Sequence, residues 1–306
     1  MGLKFNAGMG MPLSFNLAGP RHKENFSLSS KLNLGVAYLS YWIAPRASPV
    51  KKHPMPLPPI IFEDDALIAF DKPSAMLIAP DRRAPGGENL LELVRVQRGA
   101  EVATVHRLDA DTSGLVLFAK NKLALDFLSG QFQSKTVGKI YQVLTVGVPL
   151  IDEFTVDLFM KEDEGRPGRM CVVKKHGQIS LTEFTVLEKF PAPAGRVSFA
   201  YVECRPQTSR PHQMRLHLAE QGTPILNDRL YGTEAGLLLS ALKRGYKGRA
   251  DEKALITHLA LHASGLAFTH PLSRTKFTLA APLPNDFAVA LRYLRKFAAG
   301  PRRAVP

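Results

Sequence analysis

The sequence predicts an α+β fold, with a mixed, mainly antiparallel sheet and flanking helices. Three observations carry that expectation. Short β-favouring runs recur along most of the chain, several joined by turn-rich connections such as GRPG at 165–168 and PAPAG at 191–195, and such links join antiparallel neighbours. Helical periodicity is confined to a few separate segments. No internal repeat and no regular strand–helix alternation is present, which argues against a parallel, doubly wound sheet.

A chain of 306 residues is long enough for one large domain or two smaller ones. Its composition, 45% hydrophobic and 22% charged, is ordinary for a globular protein. The net charge of +13 is not. It indicates a polyanionic partner, most simply nucleic acid, with an anionic membrane surface as the alternative. Cys171 and Cys204 fit neither a zinc spacing nor a disulfide framework, which points to a reducing compartment and no structural metal. No segment reaches the roughly 18 apolar residues of a membrane span. The nearest approach, 34–44, contains Ser40 and begins too late for a secretory signal. A cytoplasmic protein without membrane contact is expected.

Taken in order, residues 1–55 stand apart: seven basic residues face one acid, Glu24, and periodicity is poor. A flexible RNA-binding arm, an organellar leader and an early start codon all fit this composition. The expectation is a disordered basic extension, followed by one folded domain over 56–306. From Pro59 the pattern sharpens. Strands are expected at 60–63 and 66–71 around an Asp64-Asp65 turn, the second ended by Lys72-Pro73. A helix follows at 89–96 with a stop at Arg98-Gly99. A second, 123–133, places Ala124, Phe127, Leu128 and Phe132 on one face. The strand 139–146 puts Lys139, Tyr141 and Val143 on one side, and further strands are expected near 155–161, 170–174, 182–189 and 197–204. Thr208 and Ser209 are N-cap candidates for a third helix with Pro211 in its first turn, stopped by Gly222-Thr-Pro. Strands at 260–269 and 276–281 and a helix at 286–297 complete the chain.

Two stretches are dense in chemistry. In HRLDADTSGLVLFAK, residues 106–120, the groups His106, Arg107, Asp109 and Asp111 lead directly into an apolar run that reads as a buried strand. Carboxylates beside an Arg at the start of such a strand suit a working site, and they equally suit a salt-bridged loop capping the strand. The residues alone do not choose between Asp109 and Asp111. In PQTSRPHQMRLHLAEQGTPILNDRLYG, residues 206–232, Arg215 shares a helix face with Pro211, Leu218 and Ala219. It must find a partner or snorkel with its stem over the core. His258 and His262 are four apart, but their segment reads as a strand without a third ligand, so no metal is expected.

HRLDADTSG resembles the signature of RluA-type pseudouridine synthases, which isomerise uridine in ribosomal or transfer RNA. DKPSAMLIAP at 71–80 is similar to the family's first motif, with Ala75 where Gly is usual and Ala79 where His is common. The 206–232 stretch resembles the family's Thr-Gly-Arg-x-His-Gln-Ile-Arg-x-His motif and departs at Ser209 and Met214, while LHASGLAFTHPL at 261–272 again looks like the family. The resemblance spans 59–285. It implies a pseudouridine synthase fold with a central RNA-binding cleft, no cofactor, and Asp109 as nucleophile, with attack on ribose or base left open. It also implies that Arg215 pairs with the Asp109 carboxylate and that Tyr141 stacks on uracil and assists proton removal from carbon 5. Arg107 would fill the stack vacated by a flipped base or meet phosphate, against a structural pair with Asp111. His106, Thr112, Lys139 and Arg210 are further substrate-binding candidates. The expectation is an isomerase that acts as a monomer on ribosomal or transfer RNA. Residues 1–55 are too short for the N-terminal RNA-binding domain of many relatives, which favours transfer RNA or a large-subunit hairpin as target. Two other readings remain: a non-catalytic RNA-binding protein on the same fold, and a hydrolase using Asp109 and Asp111 as paired carboxylates.

Overall fold

A computed structural model describes residues 56–80, 87–192, 196–232, 236–243 and 245–298; the basic segment 1–55 lies outside them. Its elements are, in order, β1 (Ile60–Glu63), β2 (Leu67–Lys72), α1 (Leu90–Arg98), β3 (Ala103–Thr104), β4 (Ser113–Ala119), α2 (Lys122–Gln133), β5 (Gly138–Val146), β6 (Glu153–Glu162), β7 (Met170–Val173), β8 (Gln178–Phe190), β9 (Phe199–Pro206), α3 (Gln213–Glu220), α4 (Leu239–Leu242), β10 (Leu261–Thr269), β11 (Lys276–Ala280) and α5 (Asn285–Phe297). The strands form one sheet in the order β1-β2-β4-β10-β5-β9-β8-β6-β7, with β3 on β4 and β11 on β10. The expected α+β architecture is present. No helix among the described residues is long and apolar enough to cross a membrane.

Local chemistry sets most of these elements. The Asp64 carboxylate accepts the Ala66 and Leu67 amides at 2.8 and 2.7 Å and so closes the β1–β2 hairpin in an Asx turn. Asn89 and Asn121 cap α1 and α2 by accepting the Glu92 and Ala124 amides. Strand β4 is buried throughout, and apolar from Leu115 on, because it is covered on both faces. Leu115, Leu117 and Ala119 meet Ala124 and Leu128 of α2, while Val116 and Phe118 meet Leu90, Leu91 and Val94 of α1. The other half of the sheet, β5, β9 and β8, packs against Phe287, Ala290, Leu291 and Leu294 of α5 and Leu218 of α3.

The two halves join where β10 runs parallel to β4, pairing His262 with Ser113 and Ala263 with Gly114. Every other ladder between the described strands is antiparallel. Gly114 makes this contact possible. Its φ is +109°, and a Cβ there would lie 2.3 Å from the Ala263 carbonyl oxygen. No side chain fits either constraint.

The structure departs from the sequence expectations in several places, among them the short elements β3 and α4, which were not expected. Helix α3 begins at Gln213, later than Thr208 or Ser209 could cap it, and its N-cap is His212 in the left-handed region at φ +54°. The Thr208 hydroxyl is occupied elsewhere: it accepts the Leu181 amide of β8 and donates to the Gln213 side chain. Phe127 leaves the inner face of α2 and lies under Arg274, whose guanidinium sits 4.0 Å from the ring centre. Strand β8 extends well beyond 182–189 at its start, since Ser180 and Thr182 find partners in β6 and α3.

Two stability predictions follow from the backbone. Gly114→Ala combines left-handed strain of about 1–2 kcal/mol with overpacking of about 1–3 kcal/mol. Denaturant unfolding is therefore expected to show a loss near 3 kcal/mol; an unchanged midpoint would mean that the β4–β10 contact yields freely. Ala75, exposed and at φ +64°, carries left-handed strain that a glycine there would avoid. Ala75→Gly is expected to gain about 0.5–1 kcal/mol, the strain relieved less the added freedom of the unfolded chain, read as a raised unfolding midpoint.

Candidate active site

The carboxyl end of the 106–112 loop, the middle of β5, the end of β9 and the start of α3 converge beside the parallel seam. They enclose an inner cavity of about 80 Å³ lined by Arg107, Asp109, Thr112, Tyr141, Ser209, Arg210, His212 and Arg215, among others. This opens into a larger cleft of about 710 Å³ between the 77–80 loop, Asp111 and the β6–β7 hairpin, within the range of about 300–1,000 Å³ typical of ligand sites. Arg107, Asp109, His212 and Arg215 line both and so form the throat between them.

Register explains how distant residues meet here. Gly114 pairs with Ala263, Ala263 with Tyr141, and Tyr141 with Cys204, one row across β4, β10, β5 and β9. Thr112, buried, donates its amide to the Asp109 carbonyl at 3.1 Å, which turns the loop before β4. The loop is held from below by the 71–80 stretch. Lys72 is fully buried, and its ammonium donates to the carbonyls of Pro73, Met76 and Ala110, each at 2.9 Å. Ser74 donates to the Asp111 carbonyl at 2.7 Å. Burial draws the Lys72 pKa down to about 8, opposed by Asp111 and Asp109, so at neutral pH it remains mostly charged.

The expected pairing of Arg215 with Asp109 is replaced by another. Arg215 donates through Nε and Nη2 to both oxygens of Asp228, at 2.8 and 2.7 Å, with both side chains buried. Asp109 acts on it only as a nearby charge. Burial works against the guanidinium, but the Asp228 hydrogen bonds and charge, with Asp109 and Asp111 beyond, outweigh it and raise its pKa. A planar fork meeting a carboxylate in two parallel bonds leaves the cation fixed in orientation. Asp228 also accepts the Leu230 and Tyr231 amides, so the turn after α3 is built around the same carboxylate. The Tyr231 ring lies under Arg215 and Arg169, 5.4 and 5.1 Å from their guanidinium carbons.

The remaining candidates divide. Arg107 is exposed at the throat and makes no ion pair with Asp111 among the described residues. Tyr141 faces Asp109, and burial, then the charges of Asp109 and Cys204, raise its pKa, so the resting side chain is a neutral phenol. Arg210 lines the inner cavity and donates through Nε to the Ile179 carbonyl. Lys139 sits behind the 208–210 loop, donating to Ser209 Oγ at 2.8 Å and the Thr208 carbonyl. Its pKa is drawn down to about 8 by burial, with Lys135 adding to the effect. His106 lines neither cavity. Its Nε2 accepts the Leu117 amide at 3.1 Å and its ring stacks on Phe132; burial, then Lys139, lowers its pKa to about 4, consistent with an acceptor nitrogen. His258 meets Asp286 and His262 meets Ser113, so each has a protein partner.

Lys72 was read from sequence as a strand terminator within the first motif and not as a site residue, and Asp228, His212 and Tyr231 were not singled out individually. The need of a buried Arg215 for a partner was the available signal for Asp228, which sits in the apolar-rich ILNDRLYG turn.

The chain matches, over residues 66–220, the sequence model of a family described as RNA pseudouridylate synthase. It is 32% identical over 240 residues to the ribosomal large subunit pseudouridine synthase D of Neisseria meningitidis serogroup B, covering 77% of this chain and 61% of that protein. The chain thus spans less than two thirds of that relative. It is 34% identical over 224 residues to the dual-specificity RNA pseudouridine synthase RluA of Pasteurella multocida, covering 73% of this chain and 92% of that protein. Among solved structures, Human RNA Pseudouridylate Synthase Domain Containing 4 superposes with a TM-score of 0.57 at 26% identity, over 77% of this chain and 92% of that one.

Breaking the buried pair should be costly. Asp228→Asn is expected to lose about 3–5 kcal/mol, the cost of leaving a buried cation without its counter-charge, measured by denaturant unfolding beside Arg215→Ala and the double variant. Additive losses in that cycle would show that the two side chains are not coupled.

Proposed function

Because the chain belongs to the RNA pseudouridylate synthase family, we propose that it is an RNA pseudouridine synthase acting on uridines of ribosomal or transfer RNA. The observation that carries this reading is the convergence of Asp109, Tyr141 and Arg215 on one cavity, from a loop, a strand and a helix far apart in sequence. The names of the relatives, one a ribosomal large subunit enzyme and one of dual specificity, support the substrate class. The family match begins at residue 66, which supports placing the catalytic unit within 56–306, after the basic extension.

In the proposed reaction the bond from ribose to the uracil nitrogen breaks, the base turns, and a bond to its carbon 5 forms. A proton leaves carbon 5 and one arrives at the nitrogen, with no net redox change. Asp109 is the reacting carboxylate. Arg215, locked by Asp228, supplies a fixed positive charge beside it, and a preorganised charge needs no rearrangement as the reaction proceeds. The neutral phenol of Tyr141 stacks on the uracil. To take the proton from carbon 5 it would first have to be acidified, so positioning is the role its resting environment supports. The large cleft holds flanking RNA, and Arg107 at the throat occupies the gap left when the uridine is turned out of its stack, a step costing a few kcal/mol. The net charge of +13 draws the RNA in. The free thiols Cys171 and Cys204 suit a reducing cytoplasm, where we place a monomeric enzyme.

Asp109→Asn is expected to abolish pseudouridine formation while RNA affinity persists, since removing a negative charge weakens no phosphate contact. Asp111→Asn is expected to keep substantial turnover. The measurement is pseudouridine mapping in RNA treated with each purified variant, alongside filter binding. Turnover by Asp109→Asn would overturn the assignment; equal loss in both variants would favour the paired-carboxylate hydrolase.

A further inference from the structure

His212 has a backbone and a hydrogen bond that a helix start does not explain. It is the N-cap of α3, yet its side chain caps no amide, and its φ of +54° is a conformation non-glycine residues hold only when surroundings enforce it. Its ring lines both the inner cavity and the outer cleft, while Nδ1 lies 3.0 Å from the Tyr231 hydroxyl.

The hydroxyl's other partner favours one direction for that bond. Tyr231 Oη already accepts the Met170 amide at 2.7 Å, so its single proton is free to donate. Among the described residues the acceptor in reach is His212 Nδ1. A hydroxyl that donates to Nδ1 leaves the proton of a neutral imidazole on Nε2. Asp109 is the foremost charge acting on the ring. Burial lowers the pKa of His212, against Asp109, with Arg215 lowering it and Asp228 and Asp111 raising it. Neutrality is therefore the resting state. Nε2 has no protein partner among the described residues.

We propose that His212 binds the target nucleotide, donating from Nε2 to an acceptor oxygen of the uridine held against Asp109, and that Tyr231 is the positioning residue that fixes its tautomer. The acceptor is a uracil carbonyl or a phosphate oxygen of that nucleotide. Tyr231 also joins the β6–β7 hairpin to the site, through Met170 and the Arg169 guanidinium over its ring. The same hydroxyl that orients the donor thus reports the hairpin's seating. This inference rests on Asp109 being the reacting group.

The test compares His212→Asn, His212→Gln, Tyr231→Phe and Asp109→Asn in full-length protein. Asn tolerates the left-handed backbone and still reaches Tyr231, but it is too short to present a donor where Nε2 stands; Gln is long enough. His212→Asn is expected to lower kcat/KM about tenfold to a hundredfold, the range for loss of one hydrogen bond to a strong acceptor, with its melting temperature held. His212→Gln should recover most of the rate, and Tyr231→Phe, which keeps the ring under both arginines, should fall between. A purely structural role would move melting temperature and leave the Asn–Gln difference absent. If the acceptor is a phosphate oxygen, a methylphosphonate at that position lowers wild type to the rate of His212→Asn and leaves the variant unchanged; if it is a uracil carbonyl, a thiocarbonyl uridine does so instead, because sulfur is the weaker acceptor. Wild-type kcat/KM in His212→Asn with an inactive Asp109→Asn overturns this inference alone. Turnover by Asp109→Asn overturns the site on which it stands.

Discussion

The parallel contact of β4 with β10 is the constraint from which the site descends. Antiparallel hairpins could extend each half of the sheet on its own, but among the described strands the halves pair where Ser113 and Gly114 of β4 lie against His262 and Ala263 of β10. With a carbonyl oxygen 2.3 Å from where a Cβ would be, only glycine lets the two backbones close to hydrogen-bonding distance. Once they close, the register runs on through Tyr141 to Cys204, strand spacings of about 4.8 Å apart. The loop before β4 then hangs over the middle of β5, with Asp109 facing Tyr141. A slip of one residue would turn Tyr141 to the opposite face.

A second constraint is electrostatic. Charged groups are concentrated under and around one short loop: Lys72 and Arg215 buried, Asp228 buried against Arg215, Asp109 and Asp111 at the surface of the cleft. Taken singly, each buried charge is unfavourable. Together they neutralise one another, and each is fixed by more than one bond. Lys72 serves three carbonyls, and Asp228 holds a guanidinium and two amides. The pattern suits a site that must keep a carboxylate oriented without a direct clamp, since a clamp on Asp109 itself would occupy the oxygens that the proposed reaction uses.

Positions where this chain departs from the family motifs each show a local consequence. Ser209, in place of glycine, accepts the Lys139 ammonium and ties β5 to the loop before α3. Ala79 lines the outer cleft with a small side chain. Ala75 holds a left-handed backbone of the kind glycine adopts without strain. The 71–80 stretch keeps its shape because Lys72 and Ser74 hold it against the 110–111 carbonyls.

Short-range chemistry was legible in the residues themselves. The hairpin at Asp64-Asp65, the capped helices α1 and α2, the buried strand β4, the strand that carries Tyr141 and the helix stop at Gly222 all follow from side-chain periodicity and turn residues, which act over a few positions. The resemblance of 106–114 and 206–217 to family motifs then separated Asp109 from Asp111, which spacing could not do. Tertiary structure alone decided the partners. Arg215 takes Asp228 instead of Asp109, and His106 is drawn inward to a backbone amide and Phe132. Lys72 passes from strand terminator to buried prop, and Thr208 is diverted from capping α3 by the edge of β8. In each case the competing partner comes from another element, and which element arrives is set by sheet register, a long-range property that no local window of sequence contains.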